Sequence, residues 1–171
     1  MTRLTLLSLL LFPGSCAIQA QSEPIDVSLG WNYAYADESD GFANLNGWYG
    51  TLVWEATKRV GFAFTHESYW GGYRRLGTNQ HIYLGGISIP LHPGDHKVSP
   101  FLQPFGGVTR ASFSGSVQEE PTFELAAGAD ITLHKHLSLE VIPAEYSFAY
   151  SKGSALNTFQ AAAGFAYKFG K

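Results

Sequence analysis

Charge and cysteine are both scarce in this 171-residue sequence, and each shortage narrows the choice of fold. Charged residues make up 15% of the chain and aromatic residues another 15%, and there are 19 glycines. A helical bundle would contain far more Lys, Glu, Leu and Ala, so this balance favours strands and tight turns. The single cysteine cannot form a disulfide within the chain. A net charge of −3 without a basic block gives no reason to expect nucleic acid as a partner.

Long apolar runs are also missing. Beyond the N-terminus, no stretch approaches the ~18 apolar residues that a membrane-spanning helix needs. Residues 1–20 instead have the pattern of a secretory signal peptide. Arg3 supplies the positive charge, residues 4–12 form a short apolar core, and Ala20 is a small residue suited to cleavage.

The mature chain is therefore expected to begin at Gln21, with residues 21–171 forming one domain. A lipoprotein cut just before Cys16 is the alternative, because small residues precede that cysteine. Pro13 disfavours it, since this proline takes a position that is aliphatic in the lipoprotein motif.

What the sequence does contain, from Ile25 onward, is an alternation of apolar and polar residues. This period of two is typical of a β-strand with two different faces. It predicts eight strands, over residues 25–36, 45–56, 60–70, 77–90, 98–113, 122–134, 137–150 and 157–169. These lengths suit a bilayer, since a tilted strand needs ~9–11 residues to cross it.

Prolines interrupt two of these strands. Pro100 and Pro104 lie in the fifth and Pro143 in the seventh. Because proline removes a backbone donor from the ladder, it usually marks a bulge or an edge. We therefore expect bulges in both strands, and the one near Pro143 would change the face of Glu145.

The predicted connections alternate in length. Three short ones (57–59, 91–97 and 135–136) alternate with four that are mostly longer and rich in Gly, Ser and charge, namely 37–44, 71–76, 114–121 and 151–156. An even number of strands, with short periplasmic turns and longer surface loops, is typical of transmembrane barrels.

The two faces indicate which side meets lipid. The polar face carries unusually small residues, namely Gly30, Ala34, Gly61, Ala63, Ala126, Gly128, Ala162, Gly164 and Ala166. Such residues suit the narrow lumen of an eight-stranded barrel. Large aromatic residues gather near strand ends on the apolar face, as at membrane interfaces. We predict an all-β fold, an eight-stranded antiparallel transmembrane β-barrel; a secreted lipocalin-like barrel or a sandwich is the alternative.

The last strand carries a recognisable signal. Gly164, with aromatic residues three and five positions later at Tyr167 and Phe169, resembles the assembly signal of outer-membrane barrels. Two features depart from that signal: Gly170 and a final lysine follow the aromatic end, and Ala162 replaces the usual polar residue.

Together with the eight-strand layout, the chain resembles the membrane domain of outer membrane protein A. The resemblance implies a bacterial outer-membrane location, insertion by the barrel-assembly machinery, and contact with the lipid bilayer and lipopolysaccharide. We expect a monomer, and the sequence contains no nucleotide loop or zinc motif that would predict a cofactor or a metal.

Charged residues on the polar face form the first candidate site. They are Glu55, Glu67, Arg110, Glu124, Asp130, Glu140 and Lys168. Buried charges must be paired, because an unpaired one costs several kcal/mol. We predict a salt-bridge network that plugs the lumen, with Arg110 binding one of the carboxylates. The alternative is a gated ion path, which would make the protein a narrow porin-like channel.

A catalytic interpretation rests on His66 and Ser68, which face outward by parity. They resemble the His-x-Ser pair of lipid A deacylases, where the imidazole takes the hydroxyl proton. The chain lacks a clear Asn after Ser68 and an assignable Glu to orient the ring. Two interfacial polar residues are the simpler interpretation.

Four histidines on the short turns, at positions 92, 96, 134 and 136, have a spacing that could bind metal, but turns are solvated and no metal is expected. The overall prediction is a structural or interaction role in the outer membrane and not an enzyme.

Overall fold

The computed structural model describes residues 24–38, 41–73, 76–94, 96–113, 116–151 and 154–170. Eight strands form one closed barrel: β1 (Ile25–Glu38), β2 (Gly41–Thr57), β3 (Val60–Tyr73), β4 (Leu76–Pro90), β5 (Val98–Phe113), β6 (Ser116–His134), β7 (Leu137–Ser151) and β8 (Ser154–Phe169). Each strand pairs antiparallel with the next, and β1 pairs with β8 to close the barrel. The predicted fold class and strand count are confirmed.

No helix in the described part of the chain is long and apolar enough to cross a membrane.

The two faces of the strands differ as the alternation predicts. Side chains on the outer wall are apolar and exposed: Leu29 is 61% exposed and Phe123 63%. Inward neighbours on the same strands, such as Asn32 and Thr122, are 1% exposed. A soluble barrel would have the opposite arrangement, because water does not favour an exposed apolar wall. An outer wall of this kind fits the hydrocarbon of a bilayer.

Seven of the eight strands are longer than predicted, and β5 has the predicted bounds. Their bounds leave two residues between β1 and β2, and likewise between β3 and β4, β5 and β6, and β7 and β8. The prediction of longer loops at this end of the barrel, the distal end, is therefore wrong. The longest connection, residues 91–97, lies at the opposite end, the terminal end, where β1 begins and β8 finishes. Polar sequence does not prevent pairing outside the bilayer, since the ladder satisfies backbone groups there as well.

The bulge predicted at Pro143 is confirmed. The pairing of β7 with both of its neighbours shifts by one residue close to this proline. As a consequence Glu140 and Ile142, on one side of the bulge, and Glu145, on the other, are all buried.

The bulge predicted in β5 is wrong. Its register with β6 runs without a shift through Pro100 and Pro104. The ladder with β4 instead omits the pairs opposite Pro104 and Gln103, without a change of register. The side-chain amide of Gln103 bridges this gap by donating to the hydroxyl of Ser88 at 3.1 Å. A missing backbone donor is thus accommodated by a local break, and the faces of β5 do not change.

The lumen is narrow enough to require glycine at two facing positions. Gly30 on β1 pairs with Gly164 on β8, and the ring of Tyr49 lies over both. A Cβ atom would lie 2.4 Å from Cε1 of Tyr49 at position 30, and 2.7 Å from its hydroxyl at position 164. The small residues of the inward face therefore make room for the few large inward side chains.

Candidate functional site

Polar side chains from non-adjacent strands meet inside the barrel. Glu140 on β7 accepts a hydrogen bond from the hydroxyl of Tyr49 on β2 at 2.8 Å and another from Ser28 on β1 at 3.1 Å. All three side chains are buried. Because β2 and β7 are not adjacent in the barrel, the Tyr49–Glu140 bond crosses the lumen.

A second group consists of three glutamates, which we call the carboxyl cluster: Glu67 on β3, Glu124 on β6 and Glu145 on β7. One oxygen from each carboxyl group lies within 4.8 Å of the other two. The carboxyl group of Glu145 lies within hydrogen-bonding reach of those of Glu67 and Glu124, and its Oε1 is buried without a partner. Each of the three residues is at most 5% exposed. The cluster sits near the middle of its strands, since each glutamate has at least six strand residues on either side.

Neutral polar groups surround the carboxyl cluster. The hydroxyl of Tyr69 donates to Glu67 at 3.0 Å and accepts from the amide of Asn32 at 2.7 Å. The amide of Gln160 donates to Glu124 at 3.4 Å, and its oxygen is buried without a partner. Gln160 pairs in register with Glu145, so its amide group lies against the cluster.

The ion pairs of the lumen lie near the terminal end. The ammonium of Lys168 is 3.0 Å from Asp130 and 3.6 Å from Asp26. Glu55, which is half-buried on β2, lies within electrostatic range of Lys168. The predicted pairing of lumenal charges is thus found at this end, with Lys168 as the cation.

Arg110 is the one member of the predicted network that does not face the lumen. Its side chain is 55% exposed and lies 4.0 Å from Glu119, which is itself 68% exposed. The continuous register of β5 places Arg110 on the outer side between buried Thr109 and Ala111. An arginine at this position cannot neutralise a lumenal carboxylate, so the predicted partner role is wrong.

Several contributors were absent from the predicted network, among them Asp26, Tyr69 and Glu145. Asp26 lies two residues from Ser28 on β1, and Tyr69 lies two residues from Glu67 on β3, so the sequence already places both on the inward face. Glu145 was expected to change face at Pro143, but its meeting with Glu67 and Glu124 depends on strands that are far apart in sequence.

His66 and Ser68 lie on the outer wall of β3. The His66 ring stacks on Trp48 at 5.1 Å and contacts the edges of Tyr83 at 4.7 Å and His81 at 5.7 Å. Its Nδ1 is buried without a hydrogen-bond partner. Ser68 is buried. The intervening Glu67 points into the lumen, so this nearest carboxylate cannot orient the ring.

The turn histidines do not assemble into a site. The rings of His92 and His96 are 6.5 Å apart, and Nδ1 of His136 lies 3.1 Å from the carbonyl oxygen of Lys168. Among the described residues, the carboxyl cluster is the one group of three or more side chains with metal-binding spacing.

Of the two predicted terminal signals, the signal peptide and the assembly signal, the structure describes only the second. Residues 1–20 lie outside the described residues. In β8, Tyr167 and Phe169 are exposed on the outer wall and their rings meet at 4.7 Å, while Gly164 faces inward. A role of these residues in assembly stays a prediction.

Comparisons with known proteins agree on the fold. No family model and no curated protein matches the sequence. Among solved structures, Neisserial surface protein A superposes with a TM-score of 0.74 at 16% identity, covering 85% of this chain and 97% of that one. Ail, the attachment invasion locus protein of Yersinia pestis, gives 0.60 at 15% identity, covering 85% and 99%. The outer membrane enzyme PagL gives 0.54 at 12% identity, covering 84% and 97%.

The fold is therefore that of the small bacterial outer-membrane barrels, as the resemblance to the membrane domain of outer membrane protein A implied. The apolar outer wall agrees with an outer-membrane location. Since this fold is found both in surface proteins and in an enzyme, function must be argued from the side chains.

Proposed function

We propose that this protein is a structural outer-membrane barrel with a closed lumen, which holds its distal hairpins at the cell surface for interaction. The observation that carries the closed lumen is the hydrogen bond between Tyr49 on β2 and Glu140 on β7, which spans the intervening strands β1 and β8 with its oxygens 2.8 Å apart. An eight-stranded barrel has an interior just wide enough for its own side chains. A bond across it leaves little room for a continuous column of water.

The carboxyl cluster supports closure at a second place. Side chains from β3, β6 and β7 meet there, and Tyr69 and Asn32 extend the contact to β1. At the terminal end, Lys168 connects β8 with β1 and β6 through its two aspartates. An open pore would leave such groups hydrated, whereas the groups at the centre of this lumen are buried.

The outer wall supports the membrane part of the proposal. Trp70 lies toward the distal end, where its ring meets that of Trp31 edge to face at 5.0 Å, and Tyr167 and Phe169 lie at the terminal end. Amphipathic rings at both ends mark the two interfaces of a bilayer. Contact with lipopolysaccharide, insertion by the barrel-assembly machinery and a monomeric state belong to the same proposal.

Ion conductance tests the closed lumen. The mature protein, refolded and reconstituted in a planar bilayer, should pass no sustained current. Tyr49→Ala should leak, because it removes both the ring and the bond to Glu140. The matched variant Tyr146→Ala, on the outer wall, should remain closed. Steady single-channel currents from the wild type would contradict the proposal and favour the narrow porin-like channel.

The second candidate is a lipid A-modifying enzyme that uses His66 and Ser68. Its one supporting observation is the buried, unpartnered Nδ1 of His66 beside Ser68 on the lipid-facing wall. Mass spectra of lipid A from expressing cells test it. We expect no change; loss of an acyl chain that Ser68→Ala prevents would establish the enzyme.

A further inference from the structure

We propose that the carboxyl cluster binds one hard divalent cation, with Ca²⁺ as the ion that fits best. The ligands would be the carboxylates of Glu67, Glu124 and Glu145, completed by the amide oxygen of Gln160. The site would tie together four strands, β3, β6, β7 and β8, in the middle of the barrel.

Charge is the first argument. Three ionised carboxylates this close repel strongly, and their burial removes the water that would screen them. The ion pairs between described residues use Lys168 and Arg110, and neither cation pairs with the cluster. The charge must therefore be neutralised by protons or by a bound cation.

Geometry selects the kind of cation. The three oxygens lie within 4.8 Å of one another. Ca²⁺ binds oxygen at about 2.3–2.6 Å, so its ligands span up to roughly 5 Å across the ion. Mg²⁺ needs about 2.0–2.1 Å in a strict octahedron and retains several waters, which suits this group less well. Carboxylate and amide oxygens select hard ions over the softer metals that prefer sulfur or imidazole.

Gln160 provides an independent observation. It is 5% exposed, and its amide group lies against the cluster. Its oxygen is buried without a hydrogen-bond partner, which is costly unless something binds it. The long 3.4 Å contact from its amide nitrogen to Glu124 recovers little of that cost. A cation beside the cluster would give this oxygen a partner after a rotation of the amide.

Protons are the competing solution. Hydrogen bonds between Glu145 and the other two glutamates require protonated carboxyl groups, because two carboxylates cannot donate to each other. A cation would displace these protons, since metal ligands must be deprotonated. Neutralisation by protons and neutralisation by a cation can therefore be distinguished, because only a cation site responds to added ion.

Luminescence of Tb³⁺, which replaces Ca²⁺ at oxygen sites, tests the proposal on the refolded mature protein. Tyr69, hydrogen-bonded to Glu67, lies close enough to sensitise the ion. We expect Tb³⁺ emission on excitation of the protein, and its loss when Ca²⁺ is added in excess. We also expect Ca²⁺ to raise the unfolding temperature relative to a chelator. Neither response from correctly folded wild type would overturn the proposal in favour of shared protons.

Variants locate the ion. Glu145→Gln keeps the shape but removes one ligand charge, so Ca²⁺ should bind at least about tenfold more weakly. Glu140→Gln, an equally buried lumenal change outside the cluster, should bind as the wild type does. Equal binding by Glu145→Gln and wild type would place the ion elsewhere and refute the site. Should Glu145→Gln fail to refold, the Tb³⁺ and Ca²⁺ responses of the wild type still decide. Conductance is measured separately, so an open lumen and an absent ion are distinguishable failures.

Discussion

Tyr49 on β2 and Glu140 on β7 face each other across the lumen, with their oxygens 2.8 Å apart. The ring of Tyr49 reaches Glu140 by passing over Gly30 and Gly164, where no Cβ atom obstructs it. The proposed closure of the lumen at this level therefore rests on one large side chain, two glycines and one acid.

Tyr49→Phe keeps the ring and removes only the hydroxyl group. The buried carboxyl group of Glu140 then loses a donor, which should lower the free energy of unfolding by about 1–3 kcal/mol. Urea titration of the refolded protein in lipid vesicles measures this. Tyr33→Phe is the control, because it deletes a 2.7 Å bond to Asn44 at an exposed site. Equal losses in the two variants would mean that burial of Glu140 has no energetic weight.

Leu29→Arg and Leu125→Arg place a charge on the outer wall within the barrel's apolar band. Each should reduce stability in lipid by roughly 2–4 kcal/mol where the residue lies near the midplane. Leu133→Arg, one residue before the end of β6, should cost only about 0–1 kcal/mol, since the depth of the charge sets its cost. Folding yields and unfolding midpoints in vesicles are the measurements. If all three variants matched wild type, the apolar wall would not contact lipid.

Lys168→Met keeps the length of the side chain and removes its charge. Asp26 and Asp130 then face each other without their cation, which should cost about 2–3 kcal/mol, less than for fully buried groups. Arg110→Ala should change stability by no more than about 0.5 kcal/mol, because Arg110 and Glu119 are exposed and 4.0 Å apart. Urea midpoints of the two variants test the correction of the predicted network. A larger loss of stability in Arg110→Ala would indicate that Arg110 pairs with a lumenal acid after all.

Gly164→Ala tests the packing beneath Tyr49. The added Cβ would lie 2.3 Å from the carbonyl oxygen of Leu29, so strands must separate, at a cost of about 1–3 kcal/mol. Gly85→Ala is the control, since its Cβ would meet nothing nearer than 3.6 Å. Thermal unfolding of the purified proteins separates packing from any defect in cellular assembly. A melting temperature like that of Gly85→Ala would show that the lumen can expand.

The sequence alone determined the number of strands and the direction of almost every side chain. Side chains alternate between the two faces of any strand, and the lipid favours apolar residues where the lumen favours polar or small ones. The sequence therefore shows which face each residue is on. Pro143 also predicted the bulge in β7, because a proline removes a backbone donor from the ladder and the pairing must change locally. The same rule failed for Pro100 and Pro104, where the ladder breaks locally and keeps its register. As a result, Arg110 was predicted to face the lumen but lies on the outer wall.

Only the tertiary structure decided which inward groups meet. The carboxyl cluster joins residues that are up to 78 positions apart in the sequence, Glu67 and Glu145 being the most distant. Their convergence depends on the register of every strand pair around the closed barrel. Strand length beyond the bilayer was likewise decided by backbone pairing, since no apolar pattern marks residues in water. Alternation specifies what each side chain faces, whereas closure of the barrel specifies what it touches.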